Sequence, residues 1–127
     1  MNWDKYKPYF TEAEFKCKHT GKCDMNEEFM AKLFALRHEF GYPIIISSGY
    51  RDVTHPVEAI KSIAGAHTTG RACDVLISGS EALSFLRLAL SMGFTGIGIQ
   101  QKGNARFIHL DDMPASANFI RPTIWSY

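Results

Sequence analysis

Residues 96–111 hold two short apolar runs, GIGIQ and RFIHLD, separated by QKGNA. The Gly and Asn of the spacer suit a reversing turn, so the two runs are expected to pair antiparallel. Everything else in the chain has to be arranged around that ribbon. After Pro43 the β-branched run IIIS predicts a short buried strand that delivers SSGYR to the edge of the sheet. ACDVLI at 72–77 predicts another, with Cys73, Val75 and Ile77 on one face and Ala72, Asp74 and Leu76 on the other. The run TIWSY adds an expected edge strand.

Helices fill the intervals. TEAE at 11–14 matches a capping box, Thr11 accepting from the backbone and Glu14 reaching back, so a short helix should start there and end near Cys17. In NEEFMAKLFALRHEFG, Asn26 is a cap, Glu27 and Glu28 suit the positive helix end, and Phe29, Leu33, Leu36 and Phe40 recur at helical spacing up to Gly41. His38 falls in its last turn, where a solvated role is expected. Ser80 is the expected cap of a helix through Met92, with Leu83, Leu86 and Leu90 as the buried stripe and Gly93 as its end. Residues 51–66 read as a long loop of the kind that is functional or mobile in small domains. The expected fold class is α+β with a small antiparallel or mixed sheet, and 127 residues suit a single domain spanning 1–127.

Hydrophobic residues make up 46% and charged residues 21%, which favours an ordinary apolar core over disorder. Fourteen Lys and Arg face thirteen Asp and Glu with no basic stripe, which argues against a nucleic-acid partner. The opening MNWDKYKPYF lacks the apolar core of a secretory signal, and no later run approaches a membrane span. Synthesis in a cytoplasm without stable membrane insertion is the expectation, with the chain acting as a monomer. Cys17, Cys23 and Cys73 are an odd, small set and are read as thiols.

Chemistry gathers at GAHTTGRACDV, residues 65–75. His67 precedes a turn at Gly70 and Asp74 sits in the strand that follows, so a tight turn can bring imidazole and carboxylate together. Further on, His109 and Asp111 are two apart on a strand and share a face, with Ile108 and Leu110 on the other. Two histidines and a carboxylate with an open fourth position describe a catalytic zinc site, which needs a nearby proton acceptor. Asp111 is the first candidate for that task, with Asp112 and Glu58 as the others. The plainer alternative is a half-buried histidine and a turn-forming aspartate. Against it stands the apolar setting of Asp74 in ACDVLI, where an ionised carboxylate is costly unless a cation or hydrogen bonds compensate.

The succession SGYR, HPVEA, GAHTTGRACD, GIGI and FIHLD resembles the zinc D-alanyl-D-alanine carboxypeptidases and L-alanyl-D-glutamate endopeptidases, hedgehog-like peptidoglycan peptidases that include phage endolysins. The likeness spans roughly residues 8 to 112. It implies zinc held by His67, Asp74 and His109, with Arg51 of SGYR contacting the carboxylate or carbonyl of the scissile peptide, a task suited to a planar fork of donors. It also implies the peptide stem of peptidoglycan as substrate and a phage lysis or virion-associated role. The sequence departs from the pattern twice: Gly65 stands where a serine is common, and Arg106 occupies the position, three before the last histidine, where many relatives carry the acid/base carboxylate. If nothing replaces that carboxylate, a noncatalytic zinc-containing wall-binding module is the alternative. His55 is read as a loop-organising residue. Cys17, His19, Cys23 and Asp24 lack familiar zinc spacing, which leaves free or buried thiols as the favoured reading. SAN at 116–118 imitates a motif of the serine enzymes that act on the same substrate, but no Ser-x-x-Lys accompanies it.

Overall fold

The structure is a computed structural model that describes residues 1–127. After a 3₁₀ turn at Trp3–Tyr6 come α1 (Glu12–Phe15), α2 (Glu27–Phe40), β1 (Ile45–Ser48) and α3 (Pro56–Ala59). A second 3₁₀ turn at Ala66–Thr69 leads to β2 (Ala72–Leu76), α4 (Gly79–Ser91), β3 (Gly96–Gln100), β4 (Phe107–Asp111) and β5 (Thr123–Ser126). The fold is α+β, with four helices and a mixed sheet of order β1-β2-β4-β3-β5. Neighbours pair antiparallel except β5, which joins β3 in parallel. The expected hairpin is β3 and β4, with Gly103 at φ +76° in its turn, a conformation that favours glycine.

Strand alternation sorts the sheet into two faces. Cys73 and Val75 of β2, Ile97 of β3, and Ile108 and Leu110 of β4 turn toward the helices and join Phe29, Leu33 and Leu36 of α2 and Phe85 of α4 in one buried cluster. Each such side chain taken from water contributes about 1.5–3 kcal/mol, which is what anchors the helices to this face. The opposite face carries Asp74, His109 and Asp111.

Local signals set the helix ends as expected in two cases. Glu14 accepts a hydrogen bond from the Thr11 amide at 2.7 Å, and the Asn26 side chain accepts from Phe29 N at 3.0 Å. Gly41 closes α2 at φ +79°.

The last helix differs from expectation. Leu83 and Leu90 are each 58% exposed and Leu86 is half-buried, while Ala82, Phe85 and Ala89 face the core. The stripe is displaced by one residue, a rotation of about 100°. Its cause is the neighbouring helix: alanines at 82 and 89 permit close approach, and Phe85 meets Phe40 edge-on with ring centroids 5.3 Å apart. The cap is Ser78, not Ser80.

β1 is likewise an edge strand and not a buried one, with β2 its only neighbour and Ile45 63% exposed. The stretch 51–66 contains the single turn α3, begun by Pro56 after His55, whose Nδ1 accepts from Val57 N at 3.1 Å.

Candidate metal centre

One row of residues crosses the whole sheet. Ser48, Asp74, His109, Gly98 and Trp125 are successive Cα partners, one from each strand. His67 reaches the same place from the 3₁₀ turn Ala66–Thr69, which Gly70 connects to β2 at φ +75°. A side chain at 70 would collide with the backbone of Asp24 and Asn26. The two threonines of GAHTTGRACDV hold this turn together: Thr68 Oγ1 donates to Gly65 O at 2.7 Å, and Thr69 Oγ1 donates to Ala66 O at 2.6 Å.

His67, Asp74 and His109 are all buried, and they are the one group of three or more such side chains arranged to hold a metal ion. His109 Nδ1 lies 3.3 Å from His67 Nε2 and 3.2 Å from Asp74 Oδ1, and His67 Nε2 lies 3.3 Å from Asp74 Oδ1. Zinc bonds of about 2.0–2.1 Å at tetrahedral angles separate neighbouring ligand atoms by about 3.3 Å. The triangle therefore has the size of one face of a zinc tetrahedron, and its two nitrogens and one oxygen are the donor set of a catalytic site.

The hydrogen bonds behind the triangle decide which nitrogen each ring presents. His67 Nδ1 is 2.8 Å from Gly49 O, which only accepts, so this nitrogen carries the proton and Nε2 turns its lone pair to the centre. His109 is reversed: its Nε2 is 2.7 Å from Asp111 Oδ2 and its Nδ1 faces the centre. Three acceptors pointed at one another repel unless a cation separates them. Burial disfavours the charged ring of His109, yet hydrogen bonds to Asp111 and Asp74 outweigh it and raise the ring above the usual imidazole range. Burial also pushes Asp74 upward, but its bonds to His109 and His67 hold the carboxyl well below the usual carboxylate range.

In front of the triangle opens a cleft of about 590 Å³. Arg51, Lys61 and Arg121 line it alongside the aromatic rings of Phe107, Trp125 and Tyr127. Arg51 sits between two acids, with Nη1 at 3.2 Å from Glu58 Oε2 and Nη2 at 3.7 Å from Asp74 Oδ2. Trp125 lies against His109 with ring centroids 5.0 Å apart.

None of the three expected proton acceptors is among the residues that line the cleft. Asp111 shares the face of His109, as its spacing predicts, but it is fully buried behind that ring. Burial pushes its carboxyl up, and bonds to His109 and Arg121 prevail and bring it down to about 2. Both of its oxygens are engaged, by His109, Arg121 and the Met113 amide. Glu58 is held by Arg51, by Lys61 at 3.0 Å and by the Gly65 amide at 2.9 Å. A side chain at 65 would meet the ends of the Glu58 and Lys61 side chains. Asp112 is clamped by Lys32 at 3.1 Å and Arg71 at 2.9 Å.

A family model described as Peptidase M15 matches residues 8–111. The chain belongs to the M15 peptidase family. M15 peptidases are zinc-dependent metallopeptidases acting on peptides, and the His67, Asp74 and His109 group can hold such an ion. A search of curated proteins found no match.

This M15 peptidase also has site features that the sequence reading did not identify. Arg121 grips Asp111 with Nε–Oδ1 at 2.8 Å and Nη2–Oδ2 at 2.7 Å. Gly96 and Gly98 lie opposite Asp111 and His109 in the ladder, and side chains there would collide with the Asp111 carboxylate and with Trp125. The alternation of glycine with isoleucine in GIGIQ was the available signal, one face filled and the other left empty. The remaining histidines and the thiols stay outside the centre. His38 Nδ1 pairs with Tyr9 Oη at 2.9 Å, the His19 and His55 rings stack edge-on at 6.0 Å, and all three cysteines are free.

Proposed function

We propose that this M15 peptidase uses zinc to hydrolyse an amide bond in the peptide stem of peptidoglycan. The observation that carries the reading is the triangle of ligand atoms 3.2–3.3 Å on a side, open to a cleft with three cationic side chains and Asp74 as its one acid. Stem peptides carry free carboxylates, and the guanidinium and ammonium donors of Arg51 and Lys61 at the cleft wall are groups that can pair with them. Zinc, when bound by His67, Asp74 and His109, supplies Lewis acidity toward the scissile carbonyl and an acidified water. Arg51 is placed to pair with a substrate carboxylate or carbonyl at the mouth of the triangle. Tyr127 lines the cleft, and its hydroxyl, protonated at neutral pH as an ordinary tyrosine is, is a donor for a substrate oxygen. Action at the cell wall goes with this choice of substrate, and a phage lysis or virion role is proposed on the family resemblance alone.

A second reading is a wall-binding module that keeps the metal and cleaves nothing. It is favoured by one observation: apart from Asp74, no carboxylate lines the cleft, and position 106 is arginine. Mass measurement of products from purified wall peptides incubated with the zinc-loaded protein separates the two. New free termini establish the peptidase and reveal whether a terminal D-alanine or an internal bond is cut. Stoichiometric zinc with intact peptides establishes the module.

A further inference from the structure

We propose that Arg121 is a positioning residue of the metal centre, acting through Asp111 to fix His109 with its Nδ1 toward the ion. The inference rests on the zinc reading above but concerns a residue outside the 8–111 match.

Hydrogen-bond polarity carries the argument. A guanidinium has donors and no acceptor. Arg121 meets Asp111 as a two-pronged fork at 2.8 and 2.7 Å, so both carboxylate oxygens act as acceptors. The Met113 amide adds a third donor to Oδ1 at 3.2 Å. At the other end, His109 Nε2 stands 2.7 Å from Oδ2. With every other neighbour of that carboxylate donating, Nε2 donates as well. The proton of the neutral ring is thereby held on Nε2, and the lone pair is left on Nδ1, the atom 3.2–3.3 Å from Asp74 Oδ1 and His67 Nε2.

The relay is buried and held in place. Asp111 is fully enclosed and the Arg121 side chain is 8% exposed. The guanidinium also lies 5.4 Å from the Phe119 ring centre and 5.3 Å from that of Trp125, within cation–π reach of both. Without Arg121, Asp111 would lose the fork that fixes both of its oxygens, and the carboxylate would be free to rotate away from His109 Nε2. His109 could then turn or exchange its tautomer. Lysine cannot reproduce the fork, so Arg121→Lys should restore little.

The test uses the full chain with ¹⁵N-labelled imidazoles and zinc. In the zinc-loaded wild type, His109 is expected as the Nε2–H tautomer with Nδ1 on the metal, opposite in sense to His67. Metal competition against a chromogenic chelator should show zinc affinity falling about 10- to 100-fold in Arg121→Met and in Asp111→Asn, the range typical of lost outer partners of metal ligands. The double variant should be no weaker than the worse single one, because the two residues act as one unit. Zinc bound through His109 Nε2 in the wild type overturns the proposal without any variant being made. So does wild-type affinity in a folded Arg121→Met protein. A wild type that takes up no zinc overturns the metal reading itself and is recognised by that result alone.

Discussion

Gly96 lies directly opposite Asp111 in the ladder between β3 and β4, and the Asp111 carboxylate occupies the space that a side chain at 96 would need. Gly96→Ala should therefore act at a distance from the triangle. The methyl forces Asp111 off its bonds to His109 and Arg121, and overpacking of this kind costs about 1–3 kcal/mol. A lower melting temperature together with weaker zinc binding is the expected pair of results; a change in neither would mean that the carboxylate has room to move.

Zinc should stabilise the protein by mass action, since the unfolded chain has no comparable site. At a free concentration 100 times the dissociation constant the gain is about 2.7 kcal/mol. Thermal melts with zinc and with chelator should differ accordingly, and His109→Ala should remove the difference.

Arg51 faces the cleft while bridging Glu58 and Asp74. Loss of a hydrogen bond to a charged group costs about 1.5–3 kcal/mol, so Arg51→Ala should lower kcat/KM on wall peptides about 10- to 150-fold. Zinc content should stay near stoichiometric. A variant that loses its metal in parallel would assign Arg51 to the support of Asp74 and not to substrate.

Acid should loosen the loop over residues 51–66. Burial raises the Glu58 carboxyl, but bonds from the Gly65 amide, Lys61 and Arg51 prevail and set it below its ordinary value. A depressed carboxyl contributes its stability in full above the unfolded value of about 4.3 and loses it as pH falls through the folded value. The protection of the Gly65 amide against hydrogen exchange, measured relative to its intrinsic rate at each pH, should fall across that window, and Glu58→Gln should remove this pH dependence of protection.

Much of the architecture was legible because strand and helix signals here are local. Alternation in ACDVLI and RFIHLD placed Asp74 and His109 on the face away from the helices, and the turn chemistry of QKGNA gave the hairpin. The arc of α4 was not legible in the same way. Leucines at 83, 86 and 90 form a valid stripe in isolation, and only the approach of α2 favours the alanines one residue earlier. The roles of the acids were hidden for a related reason. Spacing can put Asp111 beside His109, but whether that carboxylate faces solvent or Arg121 depends on where the segment 112–122 crosses the sheet end before β5. Arg121 gave no sign of its partner ten residues earlier.

The row from Ser48 to Trp125 takes one member from every strand. A slip of any strand by a single residue would turn its contribution to the opposite side. Cobalt(II), seated in place of zinc, would therefore work as a coloured gauge of correct assembly, its visible absorption counting the molecules in which Asp74 and His109 have met in register.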